Sequence, residues 1–142
     1  MFYTLVGLDT APLIYFVEER PSYLYLVDPF FEAVERGEIQ VVTSTVTLTE
    51  VLVHPYRQGN PILAERYSRI LRSSKNLKTI PATADVAAEA AQIRASHRLK
   101  TPDALQIATA RLANASAFLT NDDRFASIPG MEIILLDRLT AL

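Results

Sequence analysis

Four acids have the types and positions to do chemistry: Asp9, Glu50, Asp103 and Asp122. Asp9 directly follows a short apolar run, and Asp122 follows another within three residues. Asp103 stands in the first turn of a helix announced by Thr101-Pro102, and Glu50 lies mid-helix beside Leu48, Val51 and Leu52. Carboxylates held close together repel one another and raise each other's pKa. Folding selects against such a cluster unless a cation neutralises it. The chain has no cysteine and only two histidines, so its donors are oxygens. Oxygen donors suit a hard cation, Mg²⁺ or Mn²⁺. Such ions bind phosphates and activate water.

Each residue also has a plainer reading. Asp103 suits a helix N-terminus by charge alone. Asp9 after a strand suits an Asx-turn. Glu50 could face solvent and pair with His54, four residues on, or with Arg57. Asp122-Asp123 could be a simple loop. Arg66, Arg69, Arg72 and Lys75 form a row on one helix face, which a solvated surface explains better than a phosphate contact. Arg124, beside Asp122, is better placed to meet a phosphate or to neutralise the acids. Tyr15, Phe16, Tyr23 and Tyr25 read as core or interface residues rather than as base-stacking platforms.

The elements that must position these residues follow from periodicity. Tyr3–Leu8, Ile39–Thr43, Leu77–Ile80, Ala117–Leu119 and Ile133–Leu136 are short apolar runs that read as strands, the first buried on both faces. Helical spacing predicts Ala11–Val17, Ser22–Arg36 (which Pro29 could kink), Val46–Arg57, Ile62–Ser74, Thr83–His97, and a helix from Thr101 to about residue 114. Ser44 or Thr45 serves as cap for the third of these, and Thr101 for the last, with Pro102 in its first turn. Strands alternate with helices and no hairpin signal appears. This predicts a three-layer α/β/α sandwich with a mainly parallel sheet. Ligands in such sheets bind beyond the carboxyl ends of the strands. Asp9 and Asp122 emerge on that edge, and helices entered from it can bring Asp103 and Glu50 there.

The 142 residues fit one domain, 1–142, with no linker or internal repeat. A hydrophobic fraction of 49% with 21% charged residues supplies a sizeable core and excludes a disordered chain. The absence of cysteine excludes a disulfide scaffold, a zinc finger, an iron–sulfur site and a thiol nucleophile. It also fits a reducing, cytoplasmic setting. No signal segment is seen, and no apolar run approaches the roughly 18 residues that a membrane span needs. The net charge of −2 argues against a protein that holds nucleic acid by overall basicity, though not against a local basic patch.

Three stretches carry a resemblance: GLDTAPLIYF (7–16), TSTVTLTEVLVHP (43–55) and LKTPDALQIATARLANASAFLTNDDRF (99–125). The chain resembles the PIN-domain family, and within it the small ribonuclease toxins of the VapC type, over nearly its whole length. The third stretch is the most specific. By this resemblance the family's four acids fall on Asp9, Glu50, Asp103 and Asp122, with Thr10 and Thr120 at the accompanying hydroxyl positions. Asp123 sits where the family varies. The resemblance implies RNA phosphodiester hydrolysis with Mg²⁺ (or Mn²⁺). Asp9, Asp103 and Asp122 would be metal ligands, Glu50 would be a ligand or would orient the water, and Thr120 would position a carboxylate or water. It also implies an antitoxin partner and a homodimer.

Two other readings compete: a binding module, and another acid-dependent phosphoryl protein on a similar sheet. A non-catalytic module of the same fold, binding RNA or protein, would not need the retained acids. A phosphatase of the haloacid type would need Asp-x-Asp after the first strand, where the text is Asp9-Thr10-Ala11. A receiver domain would need an acidic pair there and a lysine after a late strand, and has neither.

Overall fold

The apolar runs become a wholly parallel, five-stranded sheet in which the strands, counted along the chain, lie in the order third, second, first, fourth, fifth. The computed structural model describes residues 4–125 and 128–139; Tyr3, expected to begin the first strand, lies outside them. The chain runs β1 (Leu5–Leu8), α1 (Thr10–Val17), α2 (Leu24–Glu35), β2 (Gln40–Ser44), α3 (Thr45–Arg57), α4 (Pro61–Ser73), β3 (Leu77–Ile80), α5 (Ala84–Ser96), α6 (Thr101–Leu112), β4 (Ala117–Thr120) and β5 (Glu132–Leu135). Short 3₁₀ turns follow β4 (Asp123–Phe125) and β5 (Leu136–Arg138). Among the described residues, no helix is long and apolar enough to cross a membrane.

Side-chain alternation divides the core in two. Val6, Leu8, Val41 and Leu119 meet Leu13, Val27, Phe31, Tyr67 and Leu71 from α1, α2 and α4 on one face. Val42 and Phe118 meet Val86, Ile93 and Ile107 from α5 and α6 on the other. Strands covered on both faces must be apolar throughout, and β4 is buried at all its positions. The expected sandwich is therefore present.

Gly7 sets how closely α6 lies on β1. A Cβ there would stand 2.6 Å from the Ala110 Cβ and 2.8 Å from the Phe118 Cδ1. The missing side chain lets the helix that carries Asp103 rest against the strand that delivers Asp9.

The local signals mostly hold. Ser44 caps α3 by accepting from the Val46 N–H at 3.0 Å. Asn60 and Thr83 cap α4 and α5 in the same way. Helix α2 continues through Pro29. One cap differs from expectation: Lys100, not Thr101, is the N-cap of α6, and no side chain caps it. Thr101 is already helical, and its hydroxyl accepts from the Arg94 guanidinium at 3.0 Å. A tertiary donor has taken the oxygen that a cap would have used.

The strand order places a topological switch between β1 and β4. From β1 the chain winds out to β2 and β3, then returns to β4 on the other side. The two connections leave in opposite directions, so a crevice opens beyond the carboxyl ends of β1 and β4.

Candidate metal centre

That crevice is a cleft of about 790 Å³ whose lining includes Asp9, Glu50, Asp103, Asp122, Asp123 and Asp137. The four acids singled out in the sequence stand together there, although 113 positions separate the first from the last. Asp9 leaves β1 and caps α1. Its Oδ1 accepts from the Thr10 N–H at 2.8 Å, and its Oδ2 from the Thr120 hydroxyl at 2.6 Å. Thr120 ends β4, the neighbouring strand, so the pair closes across the switch. The Thr120 oxygen also accepts from the Asp122 N–H at 3.0 Å, which fixes the loop bearing Asp122.

Glu50 arrives on α3. Its β-branched neighbours lower helix propensity, so packing and the Ser44 cap hold the helix. Neither His54 nor Arg57 is its partner. Its Oε1 accepts from the Thr10 hydroxyl at 2.7 Å and from the Gln106 amide at 3.2 Å. Asp103 projects from the first turn of α6. Its partner is Arg124, 3.6 Å away, and the same guanidinium grips both oxygens of Asp122. Of the two roles considered for Arg124, neutralising the acids is the one its geometry displays.

Burial and charge split the acids electrostatically. Asp9 is only 8% exposed, and loss of hydration pushes its carboxyl up to about 6; the Thr120 and Thr10 hydrogen bonds oppose this, while Asp103 and Glu50 add to it. Burial also raises Asp103, with Arg124 opposing and Asp122 and Glu50 adding. Asp122 is held below the usual carboxylate range, chiefly by hydrogen bonds from Arg124. Raised and lowered carboxylates in one cleft mark a site candidate.

The donor set fits a hard divalent ion. It is all oxygen, and two of its acids, Asp9 and Asp103, are held above their ordinary values partly by their acidic neighbours, a strain that a cation relieves. Among the described residues, no three acids are drawn into a ready-made coordination shell.

The structure adds residues that sequence reasoning passed over. Asp137 follows β5 as Asp9 follows β1, so the strand-end rule could have found it. With its amide oriented to satisfy both neighbours, Asn121 donates to Asp137 and accepts from the Tyr15 hydroxyl, each at 3.3 Å. Tyr15 stacks on Tyr23 with ring centroids 4.1 Å apart, which makes it part of the cleft wall as well as of the core. Gln106 lies one helical turn beyond Asp103. Its only sequence signal is a polar residue among Ala104, Leu105, Ile107 and Ala108. The arginine row on α4 plays no part in the cleft, and Arg69 pairs with Glu65 at 3.6 Å on the surface.

Comparison with known proteins gives a consistent result. A comparison with curated proteins finds no match. Among solved structures, a toxin–antitoxin complex from Klebsiella pneumoniae is 26% identical, with a TM-score of 0.68 over 94% of this chain and 97% of that one. VapBC2 from Rickettsia felis, bound to a promoter DNA fragment, is 16% identical, with a TM-score of 0.70 over 93% and 98%. VapC20 from Mycobacterium tuberculosis, described as a toxin that cleaves the sarcin-ricin loop, is 17% identical, with a TM-score of 0.70 over 91% and 99%. The PIN domain family model matches residues 6–131, a span that takes in β1 from its second residue, β2 to β4, α1 to α6 and the four acids. The chain belongs to the PIN domain family.

Proposed function

We propose that this protein is a divalent-metal-dependent endoribonuclease and the toxin of a toxin–antitoxin pair, acting in the cytoplasm. The observation that carries the reading is the meeting of Asp9, Glu50, Asp103 and Asp122 in one cleft at the switch between β1 and β4. Neighbours that are themselves toxins or toxin–antitoxin complexes support the toxin assignment and a protein antitoxin as partner. The family resemblance supports a homodimer.

Asp9, Asp103 and Asp122 would hold the ion, with Glu50 as a further ligand or as the group that orients the attacking water. The ion when bound would polarise the phosphoryl oxygens, lower the pKa of a water and offset charge on the leaving oxygen. The protein's own part is placement. Thr120 and the Thr10 N–H hold both oxygens of Asp9 at fixed angles, as groups behind metal ligands do. The Thr10 hydroxyl holds one oxygen of Glu50. Arg124 grips Asp122 and reaches Asp103. The same guanidinium is half-exposed and would anchor a phosphate oxygen by charge-assisted hydrogen bonds.

The test is cleavage of a labelled RNA in Mg²⁺. The wild type cuts, excess EDTA stops it, and Asp103→Asn lowers the rate by at least about 100-fold while circular dichroism shows an intact fold. Cutting that persists in EDTA or in the variant overturns the proposal.

A further inference from the structure

We propose that Gln106 is a positioning residue that holds Glu50 in its working orientation by tying α6 to α1 and α3 behind the cleft; the inference rests on the nuclease reading. The Gln106 side chain is 2% exposed. Its amide nitrogen stands 2.7 Å from the Thr10 hydroxyl, 2.9 Å from the Thr47 hydroxyl and 3.2 Å from the Glu50 Oε1. The reverse amide orientation would set an oxygen against that carboxylate, so the nitrogen must face it. By donating to Thr10, Gln106 leaves the Thr10 proton to point at Glu50. Oε1 is thus held from two sides. Oε2 has no hydrogen-bond partner among the described residues and is left as the oxygen for a ligand or water.

A second observation separates this role from a stabilising one. The Gln106 Oε1 is buried and has no partner among the described residues. Leaving a buried carbonyl unpaired is unfavourable, whereas an apolar side chain of the same size would avoid that cost. Thr10 keeps its bond to Glu50 without Gln106, and Thr47 keeps its bond from Thr43. Stability therefore does not call for an amide here, and the orientation of Glu50 does.

Gln106→Met keeps the volume and removes the donor. The expected result is an unchanged or higher Tm, Mn²⁺ affinity about tenfold weaker by water-proton relaxation, and kcat lowered by about 10–100-fold with KM for RNA unchanged. Thr10→Val cuts the same tie from its half-exposed end. It weakens Mn²⁺ binding similarly, and the double variant, with neither bond to Oε1 left, binds Mn²⁺ more weakly than either single one. Unchanged Mn²⁺ affinity in Gln106→Met, a double variant no weaker than Thr10→Val alone, or losses that follow a fall in Tm overturn the role of Gln106. If Mn²⁺ binding responds as expected but the wild type cuts no RNA, the tie stands and the nuclease reading alone falls.

Discussion

Asp9 accepts two hydrogen bonds and still titrates near 6, because at 8% exposure the lost hydration outweighs what Thr120 and Thr10 return. The folded, metal-free protein therefore holds a proton that the unfolded chain releases from its ordinary value of 3.8 upward. The stability this proton supports is complete below that value and is lost as pH rises through about 6. Above that pH, the buried charge costs on the order of 2–3 kcal/mol. Asp9→Asn should remove the cost. Thermal melts without metal should show the variant more stable than wild type at pH 7 by about 1–3 kcal/mol, with the gap closing towards pH 4. The same variant should not cut RNA. A wild type equally stable relative to the variant at both pH values would contradict the burial argument. Mg²⁺ should in turn raise the wild-type Tm at pH 7 and raise it less at pH 5, where a proton competes for Asp9.

At the scale of elements, the contact of α6 with β1 depends on Gly7. Gly7→Ala forces its new Cβ against Ala110 and Phe118, and neither is the flexible end of a long side chain. Overpacking of this kind costs roughly 1–3 kcal/mol. Denaturant titration should show that loss, and cleavage should fall with it, since α6 carries both Asp103 and Gln106. The surface of α4 should behave oppositely. Arg69 and Glu65 are both more than half exposed and lie on the solvent side of their helix. Exposed pairs contribute at most about 1 kcal/mol. Arg69→Ala should thus leave stability within roughly 0.5 kcal/mol and cleavage unchanged. A marked loss of RNA affinity in that variant would instead make the row a phosphate track.

For the molecule as a whole, a net charge of −2 and a cleft that six carboxylates line repel a polyanion. Arg138 is the cation among the cleft's lining residues, with Arg124 pairing Asp122 nearby. RNA binding, not only cutting, should therefore depend on the divalent ion. In the Glu50→Gln variant, fluorescence anisotropy of a labelled oligoribonucleotide should show binding at least about tenfold tighter in Mg²⁺ than in EDTA. Equal affinity in both would place the RNA on a surface away from the acids.

The layered parallel fold, most helix ends and the four acids were legible in the sequence, because each rests on a local cause. Apolar β-branched runs make buried strands, Ser44 precedes apolar periodicity, and Asp9 and Asp122 follow strand ends. Asp137 obeys the same rule and was open to the same reasoning. The tertiary structure alone decided the pairings. The sequence holds nothing to say that Glu50 would turn from His54 to Thr10, that Arg94 would take the Thr101 hydroxyl, or that Gln106 would reach Thr10 across 96 positions. Side-chain hydrogen bonds form between whichever groups the packed layers bring within about 3 Å. That juxtaposition is set by strand order and by the close seat of α6 on Gly7, which no stretch of sequence encodes on its own.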